Sequence, residues 1–299
     1  MKILAVGSIA LDSVKTPFGS IKDALGGSAV YFGVAASYFA DVSIVGVVGK
    51  DFPQKHLDAL RSRGVDTSGI VIEEGETFRW SGEYGYGLGE RDTLETHLGV
   101  FEKFNPLIPS ELSRSEFIFL ANIDPELQFK ILRQATNRNF AACDTMDFWI
   151  EGKRKELDET MRRVDMMIVN DSECRQLAEE PNLIKAARKV LRMGPHAIVV
   201  KKGEHGALLM NEKSMFSAPA FPCEDVFDPT GAGDTFAGGM IGYLAKAGEI
   251  SERQLRQAVL YGTVMASYCV EKFSIEGICN LTSEEIESRF RQLKELTSI

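Results

Sequence analysis

Short apolar runs alternate along the chain with longer stretches in which apolar positions recur at helical spacing. The runs at 2–7, 42–48, 117–121, 140–144, 166–170 and 197–201, often bounded by Gly, Asn or Asp, predict buried strands. Between them, 28–39, 53–63, 125–137, 150–162 and 183–193 carry an apolar stripe and predict helices. A strand-then-helix rhythm of this kind predicts a largely parallel sheet covered by helices on both faces, joined by right-handed crossovers. Ligands of such sheets sit beyond the carboxyl ends of the strands.

The rhythm breaks over 71–101, where Thr77-Phe-Arg-Trp-Ser-Gly-Glu-Tyr-Gly-Tyr-Gly mixes aromatics with glycine at a two-residue period. A small antiparallel excursion is expected there, joined by 13–21, which also lacks a helical stripe. It reads either as a covering flap or as a lid that closes over substrate and excludes water.

Composition narrows the classes. The chain has 299 residues, enough for two units of about 150 residues. No linker, repeat or low-complexity tract divides it, so one α/β domain over 1–299 with an inserted lid is the simpler expectation. With 44% hydrophobic and 26% charged residues, global disorder is excluded. There are 43 acidic against 34 basic residues, a formal net charge of −9, which argues against coating nucleic acid or an anionic membrane. No apolar stretch approaches the ~20 residues that span a bilayer, and the amino terminus turns polar by Ser8, as a first strand does and a secretory leader does not. Five cysteines without a Cys-x-x-Cys pair predict free thiols and a cytoplasmic setting, and the four histidines show no metal-ligand spacing.

Candidate chemistry concentrates in Asp228-Pro-Thr-Gly-Ala-Gly-Asp234-Thr-Phe-Ala-Gly-Gly239. A strand-like approach over 224–227 is expected to meet a glycine-rich turn that opens a helix running past 240. Glycines without Cβ atoms let successive N–H groups converge, and the helix terminus behind them adds unpaired amides and the positive end of its dipole. Gly231, Ala232 and Gly233 therefore form a candidate anion hole for charge on a transferring phosphoryl group. Asp234, in the first helical turn, is placed either to cap the helix or to take a proton from an attacking hydroxyl. No Walker-A loop and no protein-kinase signature set occurs. The first strand is followed by Gly7-Ser-Ile-Ala-Leu-Asp12, which is no dinucleotide fingerprint and argues against a NAD-linked oxidoreductase. Asp12 itself, on the loop after that strand, suits two vicinal hydroxyls.

At these residues the chain resembles the ribokinase-like (PfkB-type) carbohydrate kinases. The segment 228–239 is similar to the family's C-terminal signature. Gly26-Gly27-Ser28 with Val45-Gly-Val-Val-Gly-Lys-Asp51 is similar to the N-terminal one. Asn170-Asp-Ser-Glu173 matches an Asn-x-x-Glu motif, and Val199-Val-Lys-Lys-Gly-Glu-His-Gly206 resembles the nucleotide-binding strand and turn. The resemblance implies a ribokinase-like three-layer sandwich with a mainly parallel sheet and a small β-lid. It implies transfer of the γ-phosphoryl group of ATP, with Mg²⁺, to a hydroxyl of a sugar or sugar-like molecule. Asp234 is then the base, Glu173 holds Mg²⁺ through water, and Asn170 meets nucleotide phosphate. Lys201, Gly203, Gly206 and Thr230 lie along the nucleotide, and 266–274, from Ala266 to Ser274, lines the adenine pocket. Asp12, Gly26 and Gly27 hold substrate hydroxyls. Asp228, with the loop near Phe273, is a weak candidate for a monovalent cation such as K⁺.

One departure bears on the acceptor. Sugar-specific relatives place an Asn in the helix after the glycine pair, where this chain has Tyr31. A single phenol replaces a bidentate amide, which favours a nucleoside as the alternative acceptor. Trp80, with Arg79 and Tyr84, either stacks on a substrate ring or forms the flap's own core. Asp124, at another strand end, is a second-tier substrate contact. A catalytically silent nucleotide-binding regulator is a further alternative, against which the intact Asp234 argues. Free edges of the lid sheet allow a homodimer through the lid.

Overall fold

Every apolar run marked as a strand is one in the structure, a computed structural model that describes residues 1–89, 91–296 and 298. In chain order the elements begin with β1 (Lys2–Val6), β2 (Ala10–Thr16), β3 (Gly19–Gly26), α1 (Ser28–Ala36), β4 (Asp41–Gly49), α2 (Gln54–Ser62) and β5 (Val65–Glu73). They continue with β6 (Arg79–Tyr84), β7 (Arg91–His97), β8 (Phe117–Leu120), α3 (Pro125–Gln134), β9 (Phe140–Asp144), α4 (Asp147–Gly152), α5 (Arg154–Met161), β10 (Met166–Asn170), α6 (Asp171–Ala178) and α7 (Leu183–Leu191). The chain closes with β11 (Ala197–Lys201), β12 (Ala207–Asn211), β13 (Met215–Ala218), α8 (Ala232–Ala247), α9 (Glu252–Cys269) and α10 (Ser283–Glu295).

Nine strands form the main sheet in the order β13-β12-β11-β10-β9-β8-β1-β4-β5, and the pairs from β11 to β5 are all parallel. Only β12 runs against the others, pairing antiparallel with β11 on one side and β13 on the other. Strands buried on both faces need apolar residues at every position, which is why they read as continuous runs. Alternate residues then serve opposite layers: Leu4 and Val6 pack with Ile131, Leu157, Leu177 and Val190 of α3, α5, α6 and α7. Ile3 and Ala5 pack with Phe236, Met240 and Leu244 of α8 and Val259 of α9. The Phe32 and Phe119 rings stack 4.1 Å apart and fix α1 against the sheet.

A second sheet, ordered β3-β2-β6-β7, stands where the excursion was expected, but it is mixed rather than antiparallel, since β2 and β6 run parallel, and it is wider than the sequence pattern implies. It takes in 10–26, not only 13–21, because Asp12 and its neighbours pair across to Ala24. Residues 71–73 belong to β5 and the main sheet instead. Glu90, inside the expected lid segment, lies outside the described residues. Two other expectations are corrected. The helix expected over 150–162 is two, α4 and α5, broken at Lys153, whose ammonium is drawn to Asp124 and Glu126. The approach at 224–227 is no strand: it runs beside the end of α9, where Phe227 N–H donates to the Val270 carbonyl at 2.8 Å.

Candidate active site

The carboxyl ends of β9, β10 and β11 and the amino terminus of α8 meet at one edge of the main sheet, beneath the small sheet. Gly231 precedes α8 in a left-handed conformation (φ 75°), and a Cβ there would run into the Tyr31 ring. Only glycine satisfies both conditions. No side chain caps α8, so first-turn amides remain for an anion. The Asp234 carboxylate accepts from its own N–H in that turn. It sits half-buried in that first turn, and burial, with the charge of Asp144 added, pushes its carboxyl up to about 7; Lys201 and Arg91 oppose the rise.

Asp12 lies in β2 of the small sheet rather than on a loop, and its carboxylate looks onto the same site. A Cβ on Gly26 would overlap its Oδ2, and the Gly27 N–H donates to it. Burial, with Asp228 and Asp234 nearby, raises it to about 7 despite that hydrogen bond. Asp12, Gly26, Gly27 and Asp234 are thus brought together, as expected. Tyr31 lies between them and the turn, fully buried, and its Oη has no hydrogen-bond partner among the described residues. Trp80 stands beside Asp12 in the parallel register of β2 and β6, on the same face. Its indole lies across Gly82, where a Cβ would overlap the ring, and donates to Thr93 Oγ1 at 3.4 Å.

On the nucleotide side, Asn170 and Glu173 form a capping box at the start of α6: Asn170 Oδ1 accepts from the Glu173 N–H and Glu173 Oε2 from the Asn170 N–H, both at 2.7 Å. Glu173 is buried, and burial with the nearby Asp144 charge raises its pKa. Lys201 ends β11 with Nζ 3.3 Å from Asp144 Oδ2. Gly203 and Gly206 form the turn after it. Thr230 donates from Oγ1 to Tyr84 Oη at 3.1 Å, joining the glycine turn to the small sheet. Ala266 lies on α9, and Ser274 donates from Oγ to the Leu25 carbonyl at 2.5 Å.

Three candidates are tied to other partners. Asp124 caps α3 through the Glu126 N–H and pairs with Lys153 at 2.8 Å, so its carboxylate is not brought to Asp12 and Asp234. Asp228 accepts from the N–H groups of Thr230 and Ser274, at 2.9 and 3.2 Å, and staples the two loops together. Arg79 is clamped between Asp23 and Asp51 at 2.5 and 2.7 Å. The cation that the small sheet turns toward the site is Arg91 of β7, whose charge acts on Asp12, Asp234 and Tyr84 and whose guanidinium lies 5.4 Å from the centre of the Trp80 ring. The sequence reading missed Arg91 and Asp144.

Among the described residues no group of three or more His, Cys, Asp or Glu side chains is arranged to hold a metal. The chemistry nevertheless fits Mg²⁺ arriving with phosphates, since Asp144 and Glu173 bring two buried carboxylates to one lysine.

With this geometry in place, comparison with known proteins is decisive: residues 4–280 match the pfkB family carbohydrate kinases. The chain belongs to that family. It is a phosphotransferase that takes an alcohol group as acceptor. A cytidine kinase from Thermococcus kodakarensis is 29% identical over 284 residues, covering 91% of this chain and 97% of that one. A nucleoside kinase from Burkholderia thailandensis in complex with inosine superposes with a TM-score of 0.82 at 19% identity, covering 97% and 98% of the two chains. A ribokinase II described as putative, from E. coli, in complex with ATP and Mg²⁺, gives 0.80 at 20% identity, with 97% and 99% covered. These two likenesses bear on the fold, which is the expected ribokinase-like α/β sandwich. No helix among the described residues is long and apolar enough to cross a membrane.

Proposed function

We propose that this kinase phosphorylates a hydroxyl of a nucleoside, with 1–299 acting as one domain and the small sheet as its lid. The observation that carries the reading is the face of the lid on which Asp12, Trp80 and Arg91 stand together above Asp234. Asp12 suits the vicinal hydroxyls of a ribose, while an indole and a guanidinium suit the flat, polar-edged base attached to it. Nearly full-length similarity to a cytidine kinase supports the same choice. Simple sugars, the first expectation, need no aromatic platform.

In this reading Asp234 removes the proton from the acceptor hydroxyl as its oxygen bonds to the γ-phosphorus and the bond to ADP breaks. The amides at Gly231, Ala232 and Gly233 meet the charge on the transferred group. Glu173 would hold Mg²⁺ through water, and the ion, when bound, would neutralise phosphate charge. Asn170, Lys201, Gly203, Gly206 and Thr230 line the phosphates, and 266–274 flanks the adenine.

ATP consumption measured against a panel of nucleosides, pentoses, hexoses and inositols tests the proposal. We expect kcat/KM for at least one nucleoside to exceed every free sugar and polyol by about ten-fold or more. A preferred sugar or inositol rejects the nucleoside reading and keeps the kinase. The K⁺ reading of Asp228 is tested by exchanging potassium for tetramethylammonium, with a fall in kcat expected if the stapled loops hold the ion. Dimerisation through the edge strands β3 and β7 predicts a sedimentation coefficient of a dimer. A cytoplasmic location accords with five free thiols.

A further inference from the structure

Lys201 has an unusual position for a buried lysine. Asp144 ends β9 and Lys201 ends β11, so their ion pair reaches over the end of β10, which lies between the two strands. The side chains are 18% and 7% exposed. A buried pair of this kind adds little to stability, because desolvation offsets most of its attraction. Its placement is more telling. A Cβ built on Gly233 would lie 2.9 Å from Lys201 Nζ, so the ammonium rests against the backbone of the turn whose amides face the anion site. Neutralising Asp144 alone does not require that contact.

We propose that Lys201 is a catalytic residue whose ammonium touches the transferred phosphoryl group, and that Asp144 is the positioning residue that holds it there. The inference rests on the kinase reading and deepens it. During transfer the new bond forms between the acceptor oxygen and phosphorus while the bond from phosphorus to the ADP oxygen breaks. The proton goes to Asp234, and Lys201 changes neither its protonation nor its covalent state. It supplies fixed positive charge where the equatorial oxygens gather negative charge. Burial works against the ammonium, yet Asp144, Glu173 and Asp234 together hold its pKa above the ordinary lysine value, so it stays charged throughout. The same three carboxylates explain what the lysine does before ATP arrives: it is the cation that keeps an acidic pocket hospitable to an anion. As phosphates enter, the ammonium can meet them beside the turn it already touches while Asp144 keeps it in place.

The test compares wild type, Lys201→Met, Lys201→Arg and Asp144→Asn by turnover and by calorimetric binding of Mg-ADP, with and without aluminium fluoride as a mimic of the transferring group. Lys201→Met is expected to lower kcat about 100-fold or more, to keep Mg-ADP affinity within about three-fold, and to lose the tightening that aluminium fluoride gives wild type. Lys201→Arg, which keeps the charge, should recover at least about ten-fold of the lost kcat. Asp144→Asn should lower kcat while leaving the acceptor KM unchanged. A folded Lys201→Met protein with kcat within about three-fold of wild type and full fluoride tightening overturns the proposal. So does an equal loss of Mg-ADP affinity and kcat, which makes the lysine a ground-state nucleotide ligand only. If Lys201→Met does not fold, Lys201→Arg decides: fluoride tightening kept supports the proposal, and tightening lost overturns it. A wild-type protein that tightens on ADP with fluoride yet phosphorylates no acceptor overturns the kinase reading alone, and the fluoride arm still decides Lys201.

Discussion

A carboxylate taken out of water into a site with few compensating donors holds its proton more tightly, and Asp12 and Asp234 both do so. For Asp12 the sign of the stability effect is set by a folded-state pKa of about 7 against an ordinary value of 3.8. Below about pH 4 both states carry the proton and the full stability is present; it is lost as pH rises through about 7, at a total cost on the order of a few kcal/mol. Asp12→Asn should therefore raise Tm clearly at pH 8 and little at pH 4, while weakening the acceptor KM. Equal Tm changes at both values would exclude the linkage. Asp234 works in the same window for another reason. A base must be ionised, so kcat/KM should climb with pH to a plateau above about 7, and Asp234→Asn should lose at least about 10³-fold in kcat with ATP binding kept. Near-normal turnover in that variant would remove Asp234 from the role. Tyr31 and Asp234 could be singled out in the sequence because each sits at a fixed offset from a glycine turn, and Asp12 because it follows the first strand. Asp144 could not be, since one Asp closing an apolar strand resembles any strand end. Arg91 was hidden in an all-exposed strand, β7, where only the pairing of Arg91 with Tyr84 turns it toward the site.

At the level of elements, continuous apolar runs made six of the parallel strands easy to read, because burial on both faces leaves one pattern only; the seventh, β5, was missed because it lies at the sheet's edge and alternates buried with exposed positions before turning fully exposed. What failed was local. The approach at 224–227 has strand-like residues, but Phe227 and Asp228 bond the Val270 carbonyl and no strand lies beside them. The helix over 150–162 kept its stripe across the break, since the side chain that divides it, Lys153, answers to Asp124 on a distant segment. The glycine turn before α8 was legible, and its second constraint was not: Tyr31 supports it from beneath. Gly231→Ala forces a side chain into positive φ and against that ring. We expect it to destabilise by about 1–3 kcal/mol and to lower kcat more than Gly203→Ala, whose added methyl meets no neighbouring atom within 4 Å. Thermal unfolding and turnover of the two variants, measured together, check this, and equal behaviour would show that the Tyr31 contact is immaterial.

The whole molecule divides its labour between two sheets. Carboxyl ends of β9, β10 and β11 with the α8 terminus gather the groups suited to phosphates, and the face of the small sheet gathers Asp12, Trp80 and Arg91. Among the described residues the polar ties between them include Thr230 to Tyr84, Ser274 to the Leu25 carbonyl and Arg79 to Asp51. Every residue of β7 is exposed, whereas β8, β9 and all but the last residue of β10 are buried. Amides of β6 and β7 should therefore exchange with solvent far faster than those of the main sheet. The net charge of −9 adds a reason for the division: an acidic chain has to meet an anionic substrate with backbone amides and a placed lysine, and these belong on the rigid sheet. In the proposed reading the nucleoside falls to the small sheet. Mg-ADP should then slow exchange at the start of α8 and leave β6 and β7 nearly unchanged, while a phosphorylatable nucleoside slows β6 and β7. Tyr84→Phe, which cuts one tie, should raise the acceptor KM several-fold with a smaller change in the KM for ATP. Protection of β6 and β7 by Mg-ADP alone, or an acceptor that leaves them unprotected, would mean that the small sheet does not close on the acceptor.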